Sequence, residues 1–220
     1  MSVERATGLV LRTRPLTDTS LIVHWLTADL GRLATVAKGA RRPKSPFRGQ
    51  IDLFYLAELS FHRSPRSELH TLREVKLMDS HPALRQDLSS LRQAAYCASL
   101  IEQTTETEAP MPLVFDQFTK LVQALPHNPA RPQSVFAFEM KMLAELGLTP
   151  NLAEIEISEG SRQILARFAQ LEWPAIFRLS LSDEQVAEIG QFLLGFLTYH
   201  LGRVPRGRPG AVGAVDRSLR

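Results

Sequence analysis

The hydrophobic period of this chain changes once, at His81-Pro82, and that single change limits what it can fold into. Before it, apolar residues alternate with polar ones, as on strands. After it they recur every three or four positions, as on the face of a helix. A block of strands followed by a block of helices points to an α+β chain of two domains, not to an interleaved α/β sheet. At 220 residues the chain is long enough to bury a core in each.

The front half reads as five strands. Residues 6–14, ATGLVLRTR, set Leu9 and Leu11 against Val10, Arg12 and Arg14, which predicts a half-buried strand with two arginines on its outer face. Residues 20–27 are a denser apolar strand, and Ala28 to Gly31 its hairpin turn. A third strand covers 32–38, and its pattern leaves open whether Arg32 or Leu33 faces out. A fourth covers 51–62 and a fifth 68–77. Five strands with short links make a small barrel over residues 1–80, of the OB-fold or the SH3-like kind.

Between the third and fourth strands lies GARRPKSPFRG, residues 39–49. From Arg32 to Arg48 the charges are Arg32, Lys38, Arg41, Arg42, Lys44 and Arg48, and none is acidic. Two prolines and two glycines make the stretch from Gly39 a loop with restricted φ. A row of cations on a restrained arc suits a polyanion backbone; the plainer reading is a solvated turn. Charge is also divided along the chain. Residues 1–80 carry 13 Lys/Arg against 8 Asp/Glu, residues 81–200 carry 8 against 14, and residues 201–220 carry 5 against 1. The basic character therefore belongs to the barrel and the extreme C-terminus. Trp25, Phe47 and Tyr55 could stack on bases or belong to the core. The apolar setting of Trp25 and Tyr55 favours core, and Phe47 in its polar loop stays open.

Helices are predicted at 83–106, 113–125, 133–146, near 161–171, and from the capping signal Ser182-Asp183-Glu184-Gln185 to His200. Residues 81–203 form the helical domain. The basic stretch 204–220 is Gly-, Pro- and Arg-rich without an apolar period, and is expected to lack order in isolation. Phe136, Phe138 and Met142, near Arg131 and Lys141, could edge a greasy pocket for an acidic, apolar-ended peptide tail, or could simply be core.

The sequence carries no recognisable catalytic motif. There is no phosphate-binding glycine loop before a helix, no nucleophile elbow, and no pair of histidines at ligand spacing. The sequence offers no catalytic constellation and reads as a non-enzyme without a cofactor. Cys97, the only cysteine, excludes an internal disulfide and a multi-cysteine metal site, and fits the cytoplasm. No apolar run reaches membrane-spanning length and no leader is evident.

Several stretches together resemble one family. They are Gly8-Leu9-Val10-Leu11 with Thr17-Asp18-Thr19-Ser20, then Gly31-Arg32-Leu33 running into Val36-Ala37-Lys38-Gly39-Ala40-Arg41-Arg42. Further along come Leu146-Gly147-Leu148-Thr149-Pro150-Asn151-Leu152, and Tyr199-His200-Leu201-Gly202 with Pro205-Arg206. The chain is similar to RecO, the bacterial recombination mediators. The resemblance implies an N-terminal OB-fold and a C-terminal helical domain. It implies binding of single- and double-stranded DNA, annealing of complementary strands, and partnership with RecR. It also implies help in loading RecA onto DNA coated by single-stranded DNA-binding protein, whose acidic tail the family touches. One departure is plain. Many members carry a four-cysteine zinc module after the Leu-Gly-Leu-x-Pro-x-Leu element, where this chain reads AEIEISEG, so no metal is expected. The DNA-contacting residues expected are Arg12, Arg14, Arg32, Lys38, Arg41, Arg42, Lys44 and Arg48, with Arg203, Arg206 and Arg208 as a second strand's site. An RNA-binding OB module, or an adaptor working through its acidic helical domain, are the alternatives; matched DNA and RNA competitors separate the first.

Overall fold

The structure, a computed structural model, describes residues 3–213. By contacts the chain forms two compact units. The first runs to Pro82 and also takes in Thr105–Thr119; the second holds Ala83–Thr104 and the described residues from Lys120 onward.

The first unit is a closed five-stranded barrel of β1 (Val3–Pro15), β2 (Leu21–Thr27), β3 (Gly31–Ala37), β4 (Leu56–His62) and β5 (Leu69–Asp79). Its strand order is β1-β2-β3-β5-β4, closed by β4 on β1, and only β3 with β5 is parallel. That is the OB-fold. Val10, Val23, Trp25, Leu33, Ala37, Phe47, Ala57, Leu59, Phe61 and Leu72 fill the interior.

Two details of β1 and β4 depart from simple alternation. The β1–β2 register jumps between Val10 and Arg12, so Leu11 is an extra residue without a partner. Val10 pairs with Trp25 and points inward, whereas Arg12 pairs with His24 on the outer side. The expectation that Val10, Arg12 and Arg14 share a face is therefore corrected: the bulge parts the arginines from Val10. The fourth strand begins later than expected, at Leu56, because Phe54 takes a left-handed φ of 61°. There its N–H reaches the Val10 carbonyl, and its own carbonyl meets the His81 ring at 2.7 Å.

Residues 105–119, read from sequence as part of the helical domain, fold with the barrel. Thr107 forms a parallel bridge with Arg32, Glu108 N–H donates to the Arg32 carbonyl, and Phe118 meets Phe54 edge to face. A charged network fastens the same segment. Arg63 donates to Glu4 at 2.6 and 2.9 Å and to Glu108, while Glu108 also meets His70 Nε2 at 2.6 Å. The bond from Arg63 holds the Glu4 carboxyl below its usual range. His70 Nδ1 accepts from the Ser64 N–H, which leaves Nε2 as the donor to Glu108.

The helices are α1 (Leu88–Thr104), α2 (Pro112–Ala124), α3 (Pro132–Glu145), α4 (Glu159–Gln170), α5 (Trp173–Arg178), α6 (Asp183–Leu201) and α7 (Arg208–Val212). In the second unit α3 is the hub: α1, α4, α5, α6 and α7 all pack against it, and every residue from Gln133 to Leu143 is buried. Helix α6 starts in the expected capping box, Ser182 with Gln185, and stops at a left-handed Gly202. The sequence missed α5 and α7, which at 6 and 5 residues are too short to show a period. In the cysteine-free stretch after Pro150, Asn151 caps a 3-10 turn at Leu152–Glu154 and Ser158 caps α4. Among the described residues no helix is long and apolar enough to cross a membrane.

Candidate nucleic-acid interface

The loop from Lys38 to Gln50 is not slack. It is a chain of tight turns, in which Ala37, Gly39, Arg42, Ser45 and Phe47 carbonyls each accept from the N–H three residues on. Gly39, at φ 70°, starts the first reversal out of β3. Arg41 N–H donates to the Thr19 carbonyl, and Gly39 N–H to Ser20 Oγ, so the loop leans on the β1–β2 connection. At its far end Gln50 accepts from Leu77 N–H at 2.9 Å.

Phe47 is the anchor. It is 7% exposed and inserts into the barrel core, which settles the question left open for it. Burying one large ring contributes about 1.5–3 kcal/mol toward holding the loop in place. Around that anchor Lys38, Arg41, Arg42, Lys44 and Arg48 are all exposed. The backbone thus presents five cations without ordering them anew for each ligand. Arg41 and Arg48 each reach a backbone carbonyl, of Thr17 and Pro43.

Arg12 and Arg14 extend this surface along β1. Both are exposed on the outer side beside β2. They bracket His24, whose pKa falls to about 4, first through burial and then through repulsion from Arg12, Arg14 and Arg32. That imidazole is neutral at physiological pH.

Not every expected cation joins them. Arg32 does face out while Leu33 points in, but its guanidinium is committed to Thr105: Nε donates to Oγ1 at 2.7 Å and Nη2 to the carbonyl. It tethers the 105–119 segment and helps depress His24. Arg208 was expected to contact DNA and is 1% exposed instead. Its Nε and Nη2 grip Glu139 at 2.7 and 3.1 Å, Nη2 also meets the Gly190 carbonyl, and Tyr96 Oη donates to the same carboxylate. An arginine that closes a buried carboxylate cannot also meet a phosphate. Arg203 and Arg206 stay exposed. Within the stretch expected to lack order in isolation, α7 forms at Arg208–Val212; residues beyond Gly213 lie outside the described residues.

The pocket expected on α3 is also corrected. Phe136, Phe138 and Met142 are buried in the hub, and Lys141 is buried over the Trp173 ring, its pKa lowered by burial. Only Arg131 of that set is exposed. On the barrel, Trp25 is core and donates from Nε1 to Thr35 Oγ1 at 2.9 Å, and Tyr55 is half-buried against the same core. The barrel therefore offers phosphate contacts more readily than stacking. The β1–β4–β5 side is mixed: a groove there is lined by Arg5 and Lys76 together with Asp29, Glu58 and Glu74.

An OB barrel followed by an all-helical unit defines a class of two-unit OB-fold proteins. Comparison narrows it. The family model for the recombination protein O N terminal matches residues 1–81, and that for its C terminal matches 85–155 and 153–209. The chain belongs to the RecO family of DNA repair proteins. It is 32% identical over 145 residues to the DNA repair protein RecO of Bacillus subtilis, covering 66% of this chain and 56% of that one. It is 32% identical over 143 residues to that of Rhodopirellula baltica, covering 65% and 53%. For Salinibacter ruber the figures are 29% over 168 residues, 75% and 65%. The chain thus spans between about half and two-thirds of the length of these relatives.

Proposed function

We propose that this protein binds DNA through the β3–β4 loop and β1, anneals complementary single strands, and serves as a mediator in recombinational repair. The observation that carries the reading is the loop: five exposed cations on a backbone pinned by Phe47, continued by Arg12 and Arg14. Cations on a fixed arc neutralise phosphates with little ordering cost on binding. Two strands whose charge is screened approach each other with less repulsion, and base pairing then proceeds unaided. The protein makes and breaks no bond in this scheme, and consumes no nucleotide.

Family membership supports the finer reading, in which the protein works with RecR and helps load RecA onto DNA covered by single-stranded DNA-binding protein. The acidic tail of that protein would need a site other than the buried α3 side chains.

The test is strand annealing, with bare strands and with strands coated by single-stranded DNA-binding protein. The full chain should speed annealing of both, and Arg41→Ala/Arg42→Ala should slow it together with binding. A protein that binds neither form, or that binds and leaves annealing at the spontaneous rate, refutes the proposal.

A further inference from the structure

Helix α6 turns aromatic rings toward solvent. Val186, Ile189, Leu193 and Leu197 face the core and account for its apolar stripe. Phe192 and Phe196 lie beside that stripe, half-buried, and Tyr199 is 84% exposed. Among the described Phe, Trp and Tyr residues Tyr199 is the one that is exposed. The rings form a ladder. Phe192 and Phe196 centroids are 5.6 Å apart, Phe196 and His200 4.3 Å, and Tyr199 and His200 4.9 Å. Core packing accounts for part of Phe192 and Phe196 but not for Tyr199, because an exposed ring gains little from the hydrophobic effect.

Two further features mark the face. Gly195 stands between the rings in mid-helix, exposed, with no atom within 4 Å of where a Cβ would be. Packing does not require a glycine there, and a helix interior disfavours one. Its effect is to leave the backbone open to close approach by a ligand. Charge is the second feature. From Ile189 to Gly213 the chain has no Asp or Glu, and Arg203 and Arg206 are exposed just past the helix end. The Gln103 side chain of α1 donates to the Arg203 carbonyl and holds that turn.

Open rings with cations just past the helix end and no acid in the segment match the chemistry of single-stranded nucleic acid, whose bases stack on aromatics while its phosphates meet arginine. We propose that Phe192, Phe196, Tyr199 and His200, with Arg203 and Arg206, form a second single-strand site that holds bases by stacking. It complements the barrel loop, which holds phosphates. Its place in annealing rests on the function proposed above; its binding of a strand does not.

Two measurements on the full chain test it. Trp25 and Trp173 are buried, so a Tyr199→Trp variant carries one accessible indole. An oligothymidylate should quench that indole, and an abasic oligomer of equal length should quench it far less. Separately, Tyr199→Ala/His200→Ala removes two exposed side chains and should leave folding intact. It should weaken oligothymidylate binding about tenfold, leave abasic binding unchanged, and keep the salt slope. In parallel, Arg41→Ala/Arg42→Ala should lower affinity for both oligomers and keep the preference for bases. If the aromatic double variant retains that preference, the stacking site is overturned, whatever the loop variant does. If only the loop variant fails to alter binding, the phosphate site is overturned and the stacking site stands. Quenching of Trp at 199 by an acidic peptide and not by oligothymidylate assigns the face to a protein partner and overturns the proposal.

Discussion

Two Gly-, Pro- and Arg-rich stretches of this chain look alike in sequence and do opposite things. GARRPKSPFRG, at 39–49, keeps its arginines in water and sends Phe47 into the barrel core. RVPRGRPGAVG, at 203–213, sends Arg208 into the helical core and keeps Arg203 and Arg206 outside. The difference lies in what waits inside. The barrel offers an apolar interior, which accepts a ring and excludes a charge. The helical unit offers Glu139, a buried carboxylate that must be paired. An arginine is therefore a surface charge or an internal clamp according to its distant partner, and its neighbours in sequence do not decide which.

The largest expected effect breaks the clamp. Arg208→Ala leaves the buried Glu139 carboxyl without its cation, and should cost about 3–5 kcal/mol in urea denaturation. Replacing both residues by leucine should recover much of that loss, because the pair's desolvation disappears along with its attraction. Equal stability of Arg208→Ala and the parent would mean the clamp carries no weight.

Next comes the seam between β3 and the 105–119 segment. Gly31 has φ 67°, and a Cβ there would run into the Ala109 carbonyl. Gly31→Val should destabilise by at least about 1–3 kcal/mol. Amide exchange should show the loss first around Thr105–Glu108, where Arg32 is tied. Exchange rising uniformly over the chain would contradict a local seam.

The loop should behave in the reverse manner, with little stability and much binding at stake. Arg41→Ala/Arg42→Ala should change stability by less than about 0.5 kcal/mol. Five loop cations with Arg12 and Arg14 should give log affinity for single-stranded DNA a slope of about −5 against log salt, and the double variant should be shallower by about 1.4. Fluorescence anisotropy over a salt series reads both. A variant that keeps the parent's slope would make the loop a solvated turn.

The smallest effect comes from His24. Its folded pKa lies near 4 against an ordinary 6.5, so the unfolded chain takes up this proton first as pH falls. Stability from keeping His24 neutral is complete above pH 6.5 and declines as pH drops toward 4. His24→Gln should flatten that part of the pH profile. Identical profiles for parent and variant would show that neither burial nor the arginines Arg12, Arg14 and Arg32 hold the ring neutral.

Much of the molecule was legible without coordinates. The change of period at His81-Pro82 divided strands from helices because periodicity is a local property of each element. The uniform charge of the β3–β4 loop was equally visible, since no folding step can add an acid to it. The distributed matches named the family.

What stayed hidden depends on contacts between residues far apart in the chain. A bulge at Leu11 moves Arg12 and Arg14 off the face of Val10, because one unpaired residue inverts every side chain after it. Phe47 and Arg208 are assigned to core by cavities that other elements build around them. In sequence Phe192 and Phe196 simply continue the helical apolar period, and that period does not set them apart from core. The i, i+4 spacing of Phe192, Phe196 and His200 was the signal available. Only packing shows that Ile189, Leu193 and Leu197 already meet the core and leave the rings outside. Sequence alone thus determined the elements and the charge they carry. The tertiary structure decided which charges and rings reach solvent, because burial is set by the whole fold.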